Sequence, residues 1–302
     1  MKLAVIGAGK WGVALHNALR QVDKDAVITS RKPKNLANFT DEASAIGAEM
    51  IVMALSTQST EGWLKEHFRF NNQAVLVCSK GIETSGGRFL NEIYERFVPR
   101  KNLAFLSGPG FAAEVIQNLP TALTIAAADE RIAVRFMSCF PKWIKTYRTN
   151  DVIGVEVAGA YKNVIAIAAG VCDALNLGSN ARAALITRGL AEMTRFGIKF
   201  GAKLETFLGL SGVGDLALTA TSALSRNYRV GQALGNNEPL NAVLERLGEV
   251  AEGVPTAQAI VMLSEKNKLY TPIAKEVVAV LDGKEPLRSL QTLLERTNEK
   301  EF

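Results

Sequence analysis

Histidine is nearly absent from this 302-residue chain, which has only His16 and His67. A proton-transfer role, where one exists, is therefore expected to fall on another side chain. His16 lies one turn into the first helical stretch and His67 in the amphipathic run Trp63-Leu64-Lys65-Glu66-His67-Phe68, positions that read as structural or exposed. Cysteine is scarce too: Cys78, Cys139 and Cys172 stand far apart. They match neither a metal-ligand spacing nor a disulfide framework, so buried thiols in a reducing compartment and no metal site are expected. Apolar runs of about 18 residues are lacking, which argues against membrane insertion. The start Met1-Lys2-Leu3-Ala4-Val5-Ile6 enters a strand at once, leaving no signal peptide, so the expected location is cytoplasmic. Blocks of one charge are missing as well. The net charge is +5 and the pI about 9.1, but Lys and Arg are dispersed among Asp and Glu without interleaved aromatics. That pattern speaks against nucleic acid and fits small anionic ligands equally well.

What the chain does have is apolar substance: 48% hydrophobic and 22% charged residues, enough for two ordinary cores. Short apolar runs at 3–6, 26–29, 50–55, 74–78, 103–106 and 121–127 alternate with amphipathic stretches and are bounded by Gly, Asn, Asp or Pro. This alternation predicts a doubly wound, mostly parallel sheet. From Asp151 onward the texture changes to long helical patterns rich in Ala, Leu and Ile. The expected fold class is α/β, a Rossmann-like dinucleotide-binding domain over residues 1–150 followed by an all-α substrate domain over 151–302. Asp151 is placed to cap a helix over 152–175, and a second helix over 180–200 can pack against it. The tail, 287–302, reads as a polar terminal helix, and no internal repeat or low-complexity segment is found.

Gly7-Ala8-Gly9-Lys10-Trp11-Gly12 follows the first strand and opens the next helix. Such glycines permit a tight turn, close approach of a pyrophosphate and close packing of helix on sheet, with the helix amides facing the phosphates. The second strand ends in Ser30-Arg31-Lys32, where a site for NAD would usually place an acidic residue. Arg31 can instead pair with a 2′-phosphate, which leans the reading to NADPH over NADH; a solvated basic loop is the alternative.

Hydride transfer at a carbonyl carbon needs a group that moves the alcohol proton. Lys162 stands in Val157-Ala158-Gly159-Ala160-Tyr161-Lys162-Asn163, the middle of an apolar helix. Burial there would depress its pKa towards neutrality, as a general base requires, unless its stem snorkels to water. Lys80, in Ser79-Lys80-Gly81-Ile82, projects from the carboxyl end of a strand, where ligands bind in open α/β folds. Ser225-Arg226-Asn227 offers hydroxyl, guanidinium and amide to a phosphate, or forms a polar capping loop.

These motifs, with Ser107-Gly108-Pro109-Gly110-Phe111-Ala112-Ala113-Glu114 and Ser211-Gly212-Val213-Gly214-Asp215, occur in one order over nearly the whole chain. In that combination the chain resembles the bacterial-type NAD(P)-dependent glycerol-3-phosphate dehydrogenases. The resemblance implies interconversion of sn-glycerol 3-phosphate and dihydroxyacetone phosphate, supplying glycerol 3-phosphate for phospholipid synthesis, with Lys162 as proton acceptor. It further implies that Lys80, Gly108, Gly110, Asp215, Ser225, Arg226 and Asn227 line the substrate site. Gly7, Gly9, Lys10, Trp11, Gly12, Arg31, Lys80, Ala112, Arg226, Val250 and Glu252 would contact NADP or NAD, and a homodimer fits the apolar second half. Two departures stand out: Gly110 where the family usually has Ser or Thr, and a short segment between Arg31 and Met50. Open alternatives are a 3-hydroxyacid or 6-phosphogluconate-type dehydrogenase, and a nucleotide-binding sensor without turnover.

Overall fold

The computed structural model describes residues 2–248 and 250–296. The chain divides into two compact units, Met1–Lys80 with Phe89–Glu156, and Gly81–Arg88 with Val157–Phe302. The first unit runs β1 (Leu3–Ile6), α1 (Lys10–Leu19), β2 (Val27–Thr29), α2 (Glu42–Ile46), β3 (Met50–Met53), α3 (Thr57–His67) and β4 (Ala74–Val77). It continues through α4 (Leu90–Tyr94), β5 (Leu103–Ser107), α5 (Ala112–Val115), β6 (Thr121–Ala127), α6 (Glu130–Met137) and β7 (Ile144–Thr149) into the start of α7 (Val152–Ala174).

The seven strands form one sheet in the order β2-β1-β3-β4-β5-β6-β7, parallel except where β6 runs against β5. Both faces are buried, and the strand residues sort by parity. Leu3, Val5, Met50, Val52, Leu76 and Leu106 enter one core, while Ala4, Ile6, Ile51, Met53, Val77 and Phe105 enter the other. This explains why the strands read as unbroken apolar runs. The last strand, β7, has no such run and was not foreseen. Its residues Lys145, Thr146, Tyr147 and Arg148 are partly or fully exposed because it closes the sheet as an edge, so little of the strand needs to be apolar.

Asp151 caps α7 through an N–H of Gly154 (3.0 Å). One turn on, the buried Glu156 accepts the N–H of Asn91 in the first turn of α4 (2.8 Å), while its second oxygen has no hydrogen-bond partner among the described residues. Burial holds its carboxyl well above the ordinary value of 4.5, the negative charges of Glu92 and Glu95 act in the same sense, and the Asn91 N–H opposes them. Folded protein therefore keeps this proton where unfolded chain releases it, and stability falls as pH rises above about 4.5. Glu156→Gln keeps the acceptor for Asn91 and removes the titration. The stability of the variant relative to the wild type should rise by at least about 1 kcal/mol between about pH 5 and about pH 8 in urea unfolding. An unchanged difference between those two conditions would show that Glu156 does not titrate in this way.

The second unit comprises the remainder of α7, then α8 (Gly178–Lys199), α9 (Leu204–Leu208), a π turn at Leu210–Gly214, α10 (Asp215–Ala220) and α11 (Arg226–Gly235). It ends with α12 (Leu240–Leu247), α13 (Gly253–Lys266), α14 (Pro272–Leu281) and α15 (Pro286–Leu294). Residues 297–302 of the expected terminal helix lie outside the described residues. Helix α7 is long and apolar enough to cross a membrane, but it is mostly buried inside the protein. Two polar clusters, one buried and one partly buried, fix it. Tyr161 donates to Glu192 of α8 (2.9 Å), which also accepts the Ile273 and Ala274 N–H groups at the start of α14 (2.9 Å each). Asp173 accepts from Arg182 (2.8 Å) and from the phenol of Tyr228 in α11.

Candidate active site

The glycine turn of the first unit has the geometry its sequence calls for. Gly7 sits at φ +106°, where an added Cβ would also lie 2.5 Å from the Ala54 carbonyl oxygen, and its N–H donates to Thr29 (2.9 Å). A Cβ on Gly12 would fall onto the Gly7 carbonyl, whereas one on Gly9 would meet open space. An open backbone face beside the start of α1 suits a dinucleotide pyrophosphate, so the residues present fit that group. Lys10 and Trp11 open α1, and Arg31 is exposed on the loop after β2. The Trp11 ring lies against Gly110, 3.3 Å from where a Cβ would stand. Lys80 donates to the Gly108 carbonyl (3.1 Å), so the strand end and the Gly-Pro-Gly loop are joined, and Ala112 begins α5.

In the second unit Lys162 is 7% exposed and does not snorkel to water. Its ammonium donates to Oδ1 of Asp215 (2.5 Å) and to Oγ1 of Thr219 (2.9 Å), and the Thr219 hydroxyl donates to the same Asp215 oxygen (3.3 Å). A buried lysine held by a carboxylate and a hydroxyl is a charge-assisted cluster with its proton positioned. Asp215 and Thr219 are successive turns of α10, so one short helix supplies both partners.

Beside this cluster, Ser225 accepts the Tyr228 N–H (3.2 Å) and so caps α11, whose first two residues are Arg226 and Asn227. The capping reading of this segment and its display of Arg226 and Asn227 are thus compatible. Arg226 donates to the Val250 carbonyl (3.3 Å), and Asn227 Oδ1 accepts the Gly253 N–H (3.0 Å). That bond fixes the end of the amide that faces Gly253. A Cβ on Gly253 would lie 2.7 Å from Asn227 Oδ1 and 2.8 Å from the Asn163 carbonyl oxygen, so Gly253 draws both asparagines together. Glu252 immediately precedes α13.

The residues singled out from the sequence thus gather as Lys80 with Gly108, Trp11 with Gly110, Lys162 with Asp215, and Arg226 with Val250. Thr219 and Gly253 were missed. The spacing of four between Asp215 and Thr219 on one helix face is a signal for the first, and nothing local marks the second. Neither histidine is among the partners of these residues: His16 is buried against the Ala26 carbonyl (3.0 Å), with its pKa lowered by burial, and His67 pairs with Glu42 (2.6 Å) and stacks on Trp63.

Comparison with known proteins places the chain in a family. The family described as NAD-dependent glycerol-3-phosphate dehydrogenase matches in two parts, its N-terminus over residues 23–133 and its C-terminus over 151–292. A glycerol-3-phosphate dehydrogenase [NAD(P)+] of Campylobacter jejuni is 54% identical over 99% of this chain and 100% of its own length. One from Sulfurimonas denitrificans is 52% identical over 97% of this chain and 99% of its own. The crystal structure of glycerol-3-phosphate dehydrogenase from Coxiella burnetii superposes with a TM-score of 0.90 at 32% identity, covering 98% of this chain and 99% of that one. The chain belongs to the NAD(P)-dependent glycerol-3-phosphate dehydrogenase family.

Proposed function

We infer that the chain interconverts sn-glycerol 3-phosphate and dihydroxyacetone phosphate, with Lys162 moving the proton of the C2 oxygen. The observation that carries this assignment is the buried Lys162–Asp215–Thr219 cluster. Bound NAD(P)H supplies the hydride to C2 in reduction, and NAD(P)+ takes it back in oxidation. In reduction the Lys162 ammonium hydrogen-bonds to the ketone oxygen, stabilises the negative charge that grows there and gives up one proton. The C2–O π bond becomes a C–O single bond with its new O–H, and Lys162 is left as the neutral amine. Oxidation reverses each transfer: the amine takes the hydroxyl proton as the C2–H bond breaks. Asp215 favours the charged lysine, and the Thr219 hydroxyl, anchored on Asp215, holds the ammonium in direction.

Arg226 and Asn227, displayed at the capped start of α11, anchor the substrate phosphate. Ser225 serves that display through the cap. Gly7, Gly9, Lys10, Trp11, Gly12 and Ala112 contact the cofactor, and Arg31, in a loop without an acidic residue, supports a preference for NADPH. Supply of glycerol 3-phosphate for phospholipid synthesis, a cytoplasmic location and a homodimer complete this reading.

The test is loss of reduced-nicotinamide absorbance with dihydroxyacetone phosphate, using NADH and NADPH in parallel. Rapid oxidation with this phosphate ester and none with 3-oxoacids is expected; cofactor binding without oxidation would sink the proposal. Replacing Arg226 by Met should raise KM for dihydroxyacetone phosphate by roughly a hundredfold, because a charge-assisted phosphate contact is lost. An unchanged KM would remove Arg226 from the phosphate site.

A further inference from the structure

The short segment after β2 carries Arg31, Lys32 and Lys34, and no acidic residue occurs from Ser30 to Thr40. The first acidic residue of the whole chain is Asp23, so the glycine turn and this loop together present only cations, Lys10 included. Among the described residues, no carboxylate pairs with Arg31, Lys32 or Lys34. The charges of Arg31, Lys32 and Lys34, gathered in one short loop beside a phosphate-binding turn, repel one another unless an anion balances them.

The loop is also built. The Ser30 hydroxyl donates to the Lys32 carbonyl (2.8 Å), and the chain then returns along β2, with Ile28 N–H donating to Asn38 (3.1 Å) and Thr40 N–H to Ile28 (2.9 Å). Leu36 and Phe39 pack on the sheet's core. With its far end pinned so soon, the loop delivers Lys34 to the turn, where its ammonium donates to the Ala8 carbonyl (2.5 Å). An ammonium has three donors, and this bond uses one.

We propose that Lys34 bridges the Ala8 carbonyl of the glycine turn and the adenosine 2′-phosphate of NADPH, making it a specificity-determining residue of this chain. The inference rests on the NADPH preference argued above. Lys34 is held on the Ala8 carbonyl of the phosphate-binding turn, and its two further donors can serve an anion at the end of the second strand, where the ribose lies in dinucleotide folds. Arg31 and Lys32 complete a three-cation cradle whose geometry is set by Lys34. The shortness of the segment between Arg31 and Met50 thereby acquires a function: a longer excursion would not hold Lys34 on the turn.

Calorimetric titration with 2′,5′-ADP and with 5′-AMP, which differ by the 2′-phosphate, tests this without turnover. Wild type should bind 2′,5′-ADP at least about tenfold more tightly, the value of one good charge-assisted contact. Lys34→Met should lose about tenfold for 2′,5′-ADP and less than about twofold for 5′-AMP, and Lys34→Arg should restore most of the difference. Equal loss for both ligands would reduce Lys34 to a brace for the turn, and no loss for either would dismiss it; both overturn the inference while the NADPH reading stands. Equal affinity of wild type for the two ligands would overturn the NADPH reading itself, and this inference with it.

Discussion

Lys162→Ala should lower kcat by roughly a thousandfold or more while leaving cofactor affinity within about twofold, since it deletes the proton carrier proposed for the second-unit cluster. The substitution has a second consequence that must be separated from the first. Asp215 is 1% exposed and would be left with the Thr219 hydroxyl as its remaining partner in that triad. Removing one partner of a buried ion pair costs about 3 to 5 kcal/mol, so the single variant should also unfold more easily. The double variant Lys162→Ala with Asp215→Asn removes the charge that has lost its lysine and should recover most of that stability without recovering turnover. Recovery of turnover with stability would mean that Lys162 holds the fold and some other group moves the proton. Near-normal turnover in the single variant would end the assignment at once.

That lysine was legible because a charge in the middle of an apolar helix contradicts its surroundings, and such contradictions mark sites. Its partners were less so. Asp215 lies 53 residues away, and only the assembled helices show that it, with Thr219, meets Lys162. The glycine turn was legible for the opposite reason, since the need is local: Gly7 requires its φ and Gly12 its missing Cβ within a few residues of sequence. Gly253 illustrates what local reading cannot reach. Its neighbours in space, Asn163 and Asn227, come from two other helices, and before folding it is one glycine in a loop. The segment Gly81–Arg88 is similar. It follows a strand of the first unit, yet it belongs with the second, where Gly87 sits so close to Leu263 that a Cβ would stand 2.9 Å from it. The sheet was read through its buried strands and missed at β7, where exposure removes the apolar signal on which strand recognition depends.

Gly231→Ala should be among the most damaging single-methyl changes in the molecule. Gly231 of α11 faces the backbone of α7, and its Cβ would overlap the carbonyl of Ile167; opposite it, a Cβ on Gly170 would overlap the backbone of Tyr228 and stand 2.8 Å from the Gln232 nitrogen. Two helices touching through backbone cannot yield as side chains do, so the added methyl must push α11 away from α7. The expected loss is about 3 kcal/mol or more, at the upper end of overpacking costs. Because α11 begins with Arg226 and Asn227 and α7 carries Lys162, the same displacement should raise KM for dihydroxyacetone phosphate well before the protein unfolds. Gly62→Ala is the counterpart: this glycine lies inside α3 with nothing near the added methyl, so the change should stabilise by about 0.5 to 1 kcal/mol and leave KM unaltered. Urea unfolding and substrate saturation of the two variants side by side check both statements. A Gly231→Ala protein within about 1 kcal/mol of wild type would show that the α7–α11 contact is looser than the structure has it, and that the phosphate anchor is not set by that crossing.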